Sequence, residues 1–168
     1  FSAMDYESHV FGQKSYNGVA IASRHPINDV IRGLPGDDSD EQARYIEATI
    51  VDTRVGSIYL PNGNPAPGPK FDYKLTWMER LYLRSQALLA DEIPVVLGGD
   101  FNVIPHDIDC YDPPGWAGDA LTRVESRSAF FKICYGGYTD ALRALNPSGI
   151  YYTYWDYQAG AWQRDNGV

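Results

Sequence analysis

Cysteine, histidine and basic residues are all scarce in this 168-residue chain, and each scarcity excludes something. The two cysteines, Cys110 and Cys134, are too few for a disulfide framework and lack metal-site spacing, so both are expected as free thiols, one in a loop and one in a helix. No apolar run approaches the ~18 residues that would span a bilayer, and no signal-peptide pattern opens the chain. The expected protein is soluble, monomeric and cytoplasmic, with no membrane partner. Lysine and arginine number 14 against 22 aspartates and glutamates, for a net charge of −8. That sign is wrong for holding a polyanion by global charge, so a nucleic-acid substrate would need a local basic face or a bridging divalent cation. No internal repeat or low-complexity tract appears. The chain opens on Phe1 and stops at Val168 directly after "RDNG", and both ends are expected to be cut.

Hydrophobic residues make up 44% of the sequence, enough for one sizeable core in a single domain over 1–168. Loop signals are densest in "GLPGDDSDE" (33–41), "PNGNPAPGP" (61–69) and "PHDIDCYDPPGWAGD" (105–119). Between them, "NGVAIAS" (17–23) reads as a strand after a tight turn, and "YIEATIV" (45–51) with "GSIYLPN" (56–62) as a hairpin. From Phe71 the period changes: Phe71, Leu75, Met78, Leu81, Tyr82, Leu88 and Leu89 recur at three and four, which predicts an amphipathic helix to about Asp91. A second helix is predicted near Ser126–Tyr135 and a short one over 139–145. The aromatic "IYYTYWDY" (150–157) reads as a strand of high β-propensity. Strands interleaved with helices, some linked as hairpins, indicate an α/β protein with a mixed sheet.

One stretch carries more chemistry than the rest. In "VVLGGDFNVIP" (95–105), Val95, Val96 and Leu97 predict a strand covered on both faces. It runs through Gly98 and Gly99 into Asp100, and an unpaired buried carboxylate is costly, so Asp100 needs a metal, a hydrogen-bond network or a ligand. The glycines leave room for another backbone or for a phosphate. Asp100 and Asn102 share one side of the strand by its period of two. The competing reading is an Asx turn that merely closes the strand. In α/β sheets, sites gather at strand ends, where "IYLPNGNP" and "GQKSYNGVAIASR" supply further polar loops.

Five segments in order, "GQKSYNGVAIASR", "YLPNGNP", "KFDYKLTWMERL", "GGDFNVIPHDIDCYDPPGW" and "YTYWDYQAGAWQRDNG", give the chain a resemblance to the exonuclease III family of the endonuclease/exonuclease/phosphatase superfamily. The resemblance implies a four-layer α/β sandwich, two mixed β-sheets flanked by helices, here incomplete at both ends. It also implies hydrolysis of phosphodiesters with Mg²⁺ or Mn²⁺, on duplex DNA at an abasic site or from a 3′ end. Carried over by motif, Asp100 matches the aspartate that orients or deprotonates the attacking water, and Asn102 the asparagine that hydrogen-bonds the scissile phosphate; the same two are the metal-binding candidates in this segment. Tyr59 matches the tyrosine that contacts that phosphate and Asn62 the asparagine beside it. Tyr154 and Trp155 match an aromatic pair at the sugar pocket, and Tyr16 and Lys74 complete the expected substrate contacts.

The family's N-terminal asparagine and metal-binding glutamate, and its late aspartate and final histidine, have no counterpart in residues 1–168. The sequence is therefore expected to be the middle of a longer gene product, inactive by itself. His9, His25 and His106 lack the histidine's motif and are expected at the surface. Lys70, Lys74, Arg80 and Arg84 fall at helical spacings that could present a basic stripe to DNA or only a solvated face. Asp109 and Asp112 are expected as structural residues and not as a calcium loop, and Trp116 and Trp162 as core or pocket-edge aromatics. Two rival readings stand beside the nuclease: a phosphatase of inositol lipids or a sphingomyelinase on the same fold, and a non-catalytic DNA-binding protein.

Overall fold

The computed structural model describes residues 2–168, which divide into two compact units. The first runs through Pro61 and includes Thr76–Asn102; the second comprises Asn62–Leu75 and Val103–Val168.

The first unit is layered. β1 (Glu7–Gly12) and β2 (Gly18–Ser23) form an antiparallel hairpin whose turn places Ser15 and Asn17 at φ of 80° and 70°. A four-stranded sheet follows in the order β3 (Ile27–Arg32), β4 (Tyr45–Ile50), β5 (Thr53–Tyr59), β6 (Val95–Asp100). It is mixed, because β6 alone runs parallel to its neighbour. Alternation along β2 and β4 explains the packing: Val19 and Ile21 meet Ile46 and Ala48, with Ile27, in one core between hairpin and sheet. The opposite face of β4 carries Tyr45 and Glu47, fully buried, where α1 (Pro69–Ala90) sends Arg84 to the Glu47 carboxylate. Arg54 of β5 donates to the same carboxylate at 2.6 Å.

The helix expected over 71–91 is present as Pro69–Ala90. Proline at its first position loses no intrahelical bond, and Phe71, Trp77, Met78, Leu81 and Leu88 form its buried face. The expected basic stripe is not present. Lys74 lies on the buried face with no solvent exposure, and its Nζ donates to the Asn62 carbonyl at 3.0 Å. Arg80 is buried too, holding the carbonyls of Leu34 and Pro35 and the Asp40 carboxylate. Long aliphatic stems let these cations line the helix's inner face while their heads satisfy carbonyls.

Two strands have no clear signal in the sequence, β1 and β3. β3 is broken by a bulge between Asn28 and Ile31, with Asp29 at φ 50°, which hides its alternation. The expected burial of β6 on both faces is also corrected. β6 is the last strand of its sheet among the described residues, the hairpin lies against β4 and β5, and Val96 is 54% exposed.

In the second unit, Phe71, Ile104, Cys110, Ala120 and Leu121 make the core, with Trp116 packed against it. α2 (Val124–Tyr135) and α3 (Ala141–Leu145) match the two expected helices. The expected strand over 150–157 is replaced by loop with one isolated bridge, Trp155 to Gly167. High β-propensity makes a strand only where a neighbour offers a ladder, and here that neighbour is the short run Gly167–Val168. Asp109 accepts from Arg143 at 2.5 Å and Asp112 from the Gly115 amide at 3.2 Å, structural roles as expected. Trp162 is 67% exposed and not in the core. Both cysteines are free, Cys110 after a 3₁₀ turn and Cys134 within α2, and burial pushes both thiols up from their ordinary value.

Candidate active site

β5 and β6 run parallel, so their C-terminal ends meet at the same edge of the sheet, where loops and ligands gather in α/β folds. The last register pair of that ladder is Tyr59 with Asp100. Paired residues of neighbouring strands project to the same face, so the two side chains leave one face of the sheet from backbones one strand spacing (about 4.8 Å) apart. The ladder continues one step beyond the strands, the Leu60 amide donating to the Asp100 carbonyl at 2.8 Å.

The close approach explains one of the two glycines. A Cβ on Gly99, at φ 130°, would lie 2.1 Å from the Ile58 carbonyl oxygen, so it is the backbone of β5 that requires glycine there. A Cβ on Gly98 would meet nothing within 4 Å, because that position faces open space.

Asn102 caps the arrangement. Its amide N–H donates to Asp100 Oδ1 at 2.8 Å, closing an Asx turn, and its own backbone sits at φ 46°. Its Nδ2 donates to the Leu60 carbonyl at 2.8 Å and to Asp100 Oδ2 at 3.2 Å. The Asx-turn reading of this sequence is thus correct as geometry, and it also orients the carboxylate. Through these bonds Asn102 holds the Asp100 carboxylate in place.

Sequence reasoning passes over Arg44. Its guanidinium lies over the Tyr59 ring, 5.0 Å from the centroid, and Nη1 donates to the Tyr59 carbonyl at 3.2 Å. Nε donates at 2.7 Å to Gln42 Oε1, which also accepts from Asn17 Nδ2 at 3.3 Å. A polar chain therefore runs from the β1–β2 turn, whose Tyr16 is 83% exposed, to the tyrosine at the strand end. The only signal for it is an arginine directly before an alternating strand.

The remaining expected residues belong to the second unit. Asn62 is exposed, and its Oδ1 accepts from the backbone N and side-chain Nδ2 of Asn64 at 3.1 and 2.9 Å. Lys74 supports the same loop from beneath. Tyr154 is 51% exposed, with its backbone bonded to Val168. Trp155 is tied down by Nε1 donating to Asp165 Oδ1 at 3.0 Å and by an edge contact with Trp162.

Asp100 and Asn102 Oδ1 are hard oxygen donors of the type that Mg²⁺ or Mn²⁺ takes, and Mg²⁺ is often held by one or two carboxylates with waters and substrate oxygens. The pair fits as part of such a site; among the described residues no group of three or more His, Cys, Asp or Glu is placed to hold a metal ion.

The chain is 31% identical over 157 residues to an exodeoxyribonuclease of Bacillus subtilis, covering 92% of this chain and 61% of that one. A 3′-5′ exonuclease from Neisseria meningitidis superimposes with a TM-score of 0.95 at 39% identity, and an AP endonuclease from Archaeoglobus fulgidus with 0.92 at 36%. Both superpositions cover 99% of this chain and 65% of the solved one, so the chain spans somewhat under two thirds of these relatives' length. With a family match running over residues 2–167, the chain belongs to the Endonuclease/Exonuclease/phosphatase family.

Proposed function

We propose that the protein is a DNA-repair phosphodiesterase that hydrolyses duplex DNA at abasic sites or from a 3′ end, with Mg²⁺ or Mn²⁺ as its cofactor. The observation that carries this reading is the Tyr59–Asp100 pair at the open end of a parallel ladder, its carboxylate fixed by Asn102. Relatives named for exodeoxyribonuclease, 3′-5′ exonuclease and AP endonuclease activity support DNA as the substrate.

Hydrolysis needs a water stripped of a proton as its oxygen bonds phosphorus, and donors for the charge that grows on the non-bridging oxygens. Asp100 is the residue for the first task, since an oriented carboxylate accepts a proton from water in line with the phosphorus. Asn102 keeps that carboxylate from rotating. Tyr59 supplies an O–H donor to the phosphate, and Arg44 adds positive charge beside the phenol in a chain that is acidic overall; in the second unit, Asn62 is proposed as a substrate contact. A bound divalent cation would neutralise phosphate charge and lower the pKa of water, with Asp100 and Asn102 Oδ1 as its holders in this part of the protein. Tyr16, Tyr154 and Trp155 are the proposed aromatic contacts to the nucleic acid, the two tyrosines being exposed.

The test is an assay of the protein, as its gene encodes it, on an abasic-site duplex, a 3′-recessed duplex and a phosphoinositide, with Mg²⁺, Mn²⁺ or EDTA. Metal-dependent cleavage of either DNA is the expected result. Turnover of the phosphoinositide alone would transfer the protein to the lipid-phosphatase reading.

A further inference from the structure

Arg44 stands directly before β4, and its side chain is held at three points, all within the first unit. The guanidinium lies over the Tyr59 ring at 5.0 Å from the centroid, Nη1 donates to the Tyr59 carbonyl at 3.2 Å, and Nε donates to Gln42 Oε1 at 2.7 Å. A planar group bonded through two of its nitrogens has one orientation. The Tyr59 ring also packs against the core of Val19, Ile21, Ile27, Ile46 and Ala48, so that core and the guanidinium together set where the phenol sits.

Gln42 decides where the guanidinium rests. Its Oε1 accepts from Arg44 Nε and from Asn17 Nδ2, at 2.7 and 3.3 Å, and an amide turned end for end would set N–H groups against both donors. The backbone beneath it is anchored independently: the Gln42 amide donates to Asp40 Oδ1 at 3.2 Å, and the amide of the fully buried Ala43 donates to Gln13 Oε1 at 2.7 Å. Gln13 and Asn17 both belong to the turn between β1 and β2, which is thereby tied to residues 42 and 43. A carboxylate at position 42 would grip Arg44 more strongly but would neutralise it. The neutral amide fixes the cation and leaves its charge.

We infer that Gln42 is a positioning residue that fixes the Arg44 guanidinium over Tyr59 and so holds the phenol for its contact with the scissile phosphate. The inference rests on the reading of Tyr59 as a phosphate contact given above. Donors aimed in advance stabilise developing charge without having to reorganise, and an arginine with its rotors released would no longer hold the ring in place.

The experiment measures kcat and KM for Gln42→Met, Gln42→Glu, Tyr59→Phe and the Gln42→Met/Tyr59→Phe double variant in the protein as its gene encodes it, on an abasic-site duplex with Mg²⁺, with thermal melts beside them. Gln42→Met keeps the length of the side chain and removes the acceptor, so kcat should fall about tenfold with KM little changed. Gln42→Glu restores an acceptor and should recover kcat to within about twofold, while its added charge raises KM. A residue that only stabilised the loop would lower the melting temperature and leave kcat unmoved below it. In the Tyr59→Phe background, Gln42→Met should cost nothing further, because the hydroxyl it positions is gone. If Gln42→Met does not fold, Arg44→Lys, which keeps the charge and loses the planar fork, is expected to show the same kcat loss and the same masking. A loss with Tyr59→Phe but none with Gln42→Met, or additive losses in the double variant, would overturn the inference and leave the role of Tyr59 standing. Full activity in Tyr59→Phe would remove the phosphate contact itself and the inference with it.

Discussion

Tyr59 and Asp100 are register partners at the end of the one parallel pair in the molecule's described sheets, so their side chains leave the same face from adjacent strands. The Tyr59 ring is held by the Arg44 guanidinium, which leaves the hydroxyl as the only part of the side chain a phenylalanine would lack. Tyr59→Phe should therefore retain the fold and lose a hydrogen bond to a charged oxygen, worth about 1.5–3 kcal/mol or roughly 10- to 100-fold in kcat/KM. Steady-state kinetics on abasic duplex beside a thermal melt checks both halves; an unchanged kcat/KM would remove Tyr59 from the chemistry.

The two glycines before Asp100 should behave differently. Gly99→Ala forces a methyl onto the Ile58 carbonyl at a φ of 130° and is expected to destabilise by about 3 kcal/mol or more, enough to abolish activity through the ladder itself. Gly98→Ala meets nothing within 4 Å and should unfold in urea at nearly the wild-type midpoint. Equal destabilisation of the two variants would mean that the β5–β6 approach is not as described.

Glu47 is the electrostatic centre of the first unit. Burial pushes its carboxyl up, but hydrogen bonds from Arg84, Arg54 and Tyr45 outweigh that, and its pKa is held below the ordinary carboxylate value. A carboxyl whose folded pKa is lowered adds stability above its unfolded pKa and loses it as pH falls through the folded one. Stability should accordingly decline from about pH 5 downward, and Glu47→Gln should flatten that part of the profile. At neutral pH the variant leaves two guanidinium groups without their counter-charge, at a cost of about 3–5 kcal/mol. Urea unfolding across pH 3–8 reads both effects; a wild-type slope in Glu47→Gln would assign the acid sensitivity elsewhere.

What can be read in the sequence follows from which signals are local. The α1 helix is legible because Phe71, Met78, Leu81 and Leu88 repeat at helical spacing and Pro94 bounds the following strand. The β4–β5 hairpin is legible for the same kind of reason. Lys74 and Arg80 mislead because their partners, the carbonyls of Asn62, Leu34 and Pro35, are backbone groups to which sequence gives no clue. The aromatic run at 150–157 reads as a strand from propensity, while pairing decides strands and only Gly167 and Val168 pair with it. The candidates Asp100, Asn102 and Tyr59 come from motif order, and the β5–β6 register sets Tyr59 beside Asp100. Gln42 and Arg44 escape a sequence reading, since their contacts to Asn17 and Tyr59 carry no motif of their own.

The central claim is that Asp100 serves as the proton acceptor of a metal-dependent phosphodiesterase. The measurement is cleavage of an abasic-site duplex by the wild-type protein, as its gene encodes it, and by Asp100→Asn, each with Mg²⁺ and with EDTA, together with DNA binding by both. The wild type should cleave with Mg²⁺ and stop with EDTA, while Asp100→Asn should lose about 10²-fold or more in kcat and bind DNA at least as tightly, one repulsive charge being gone. Unchanged turnover in Asp100→Asn, or cleavage that survives EDTA, would contradict the account.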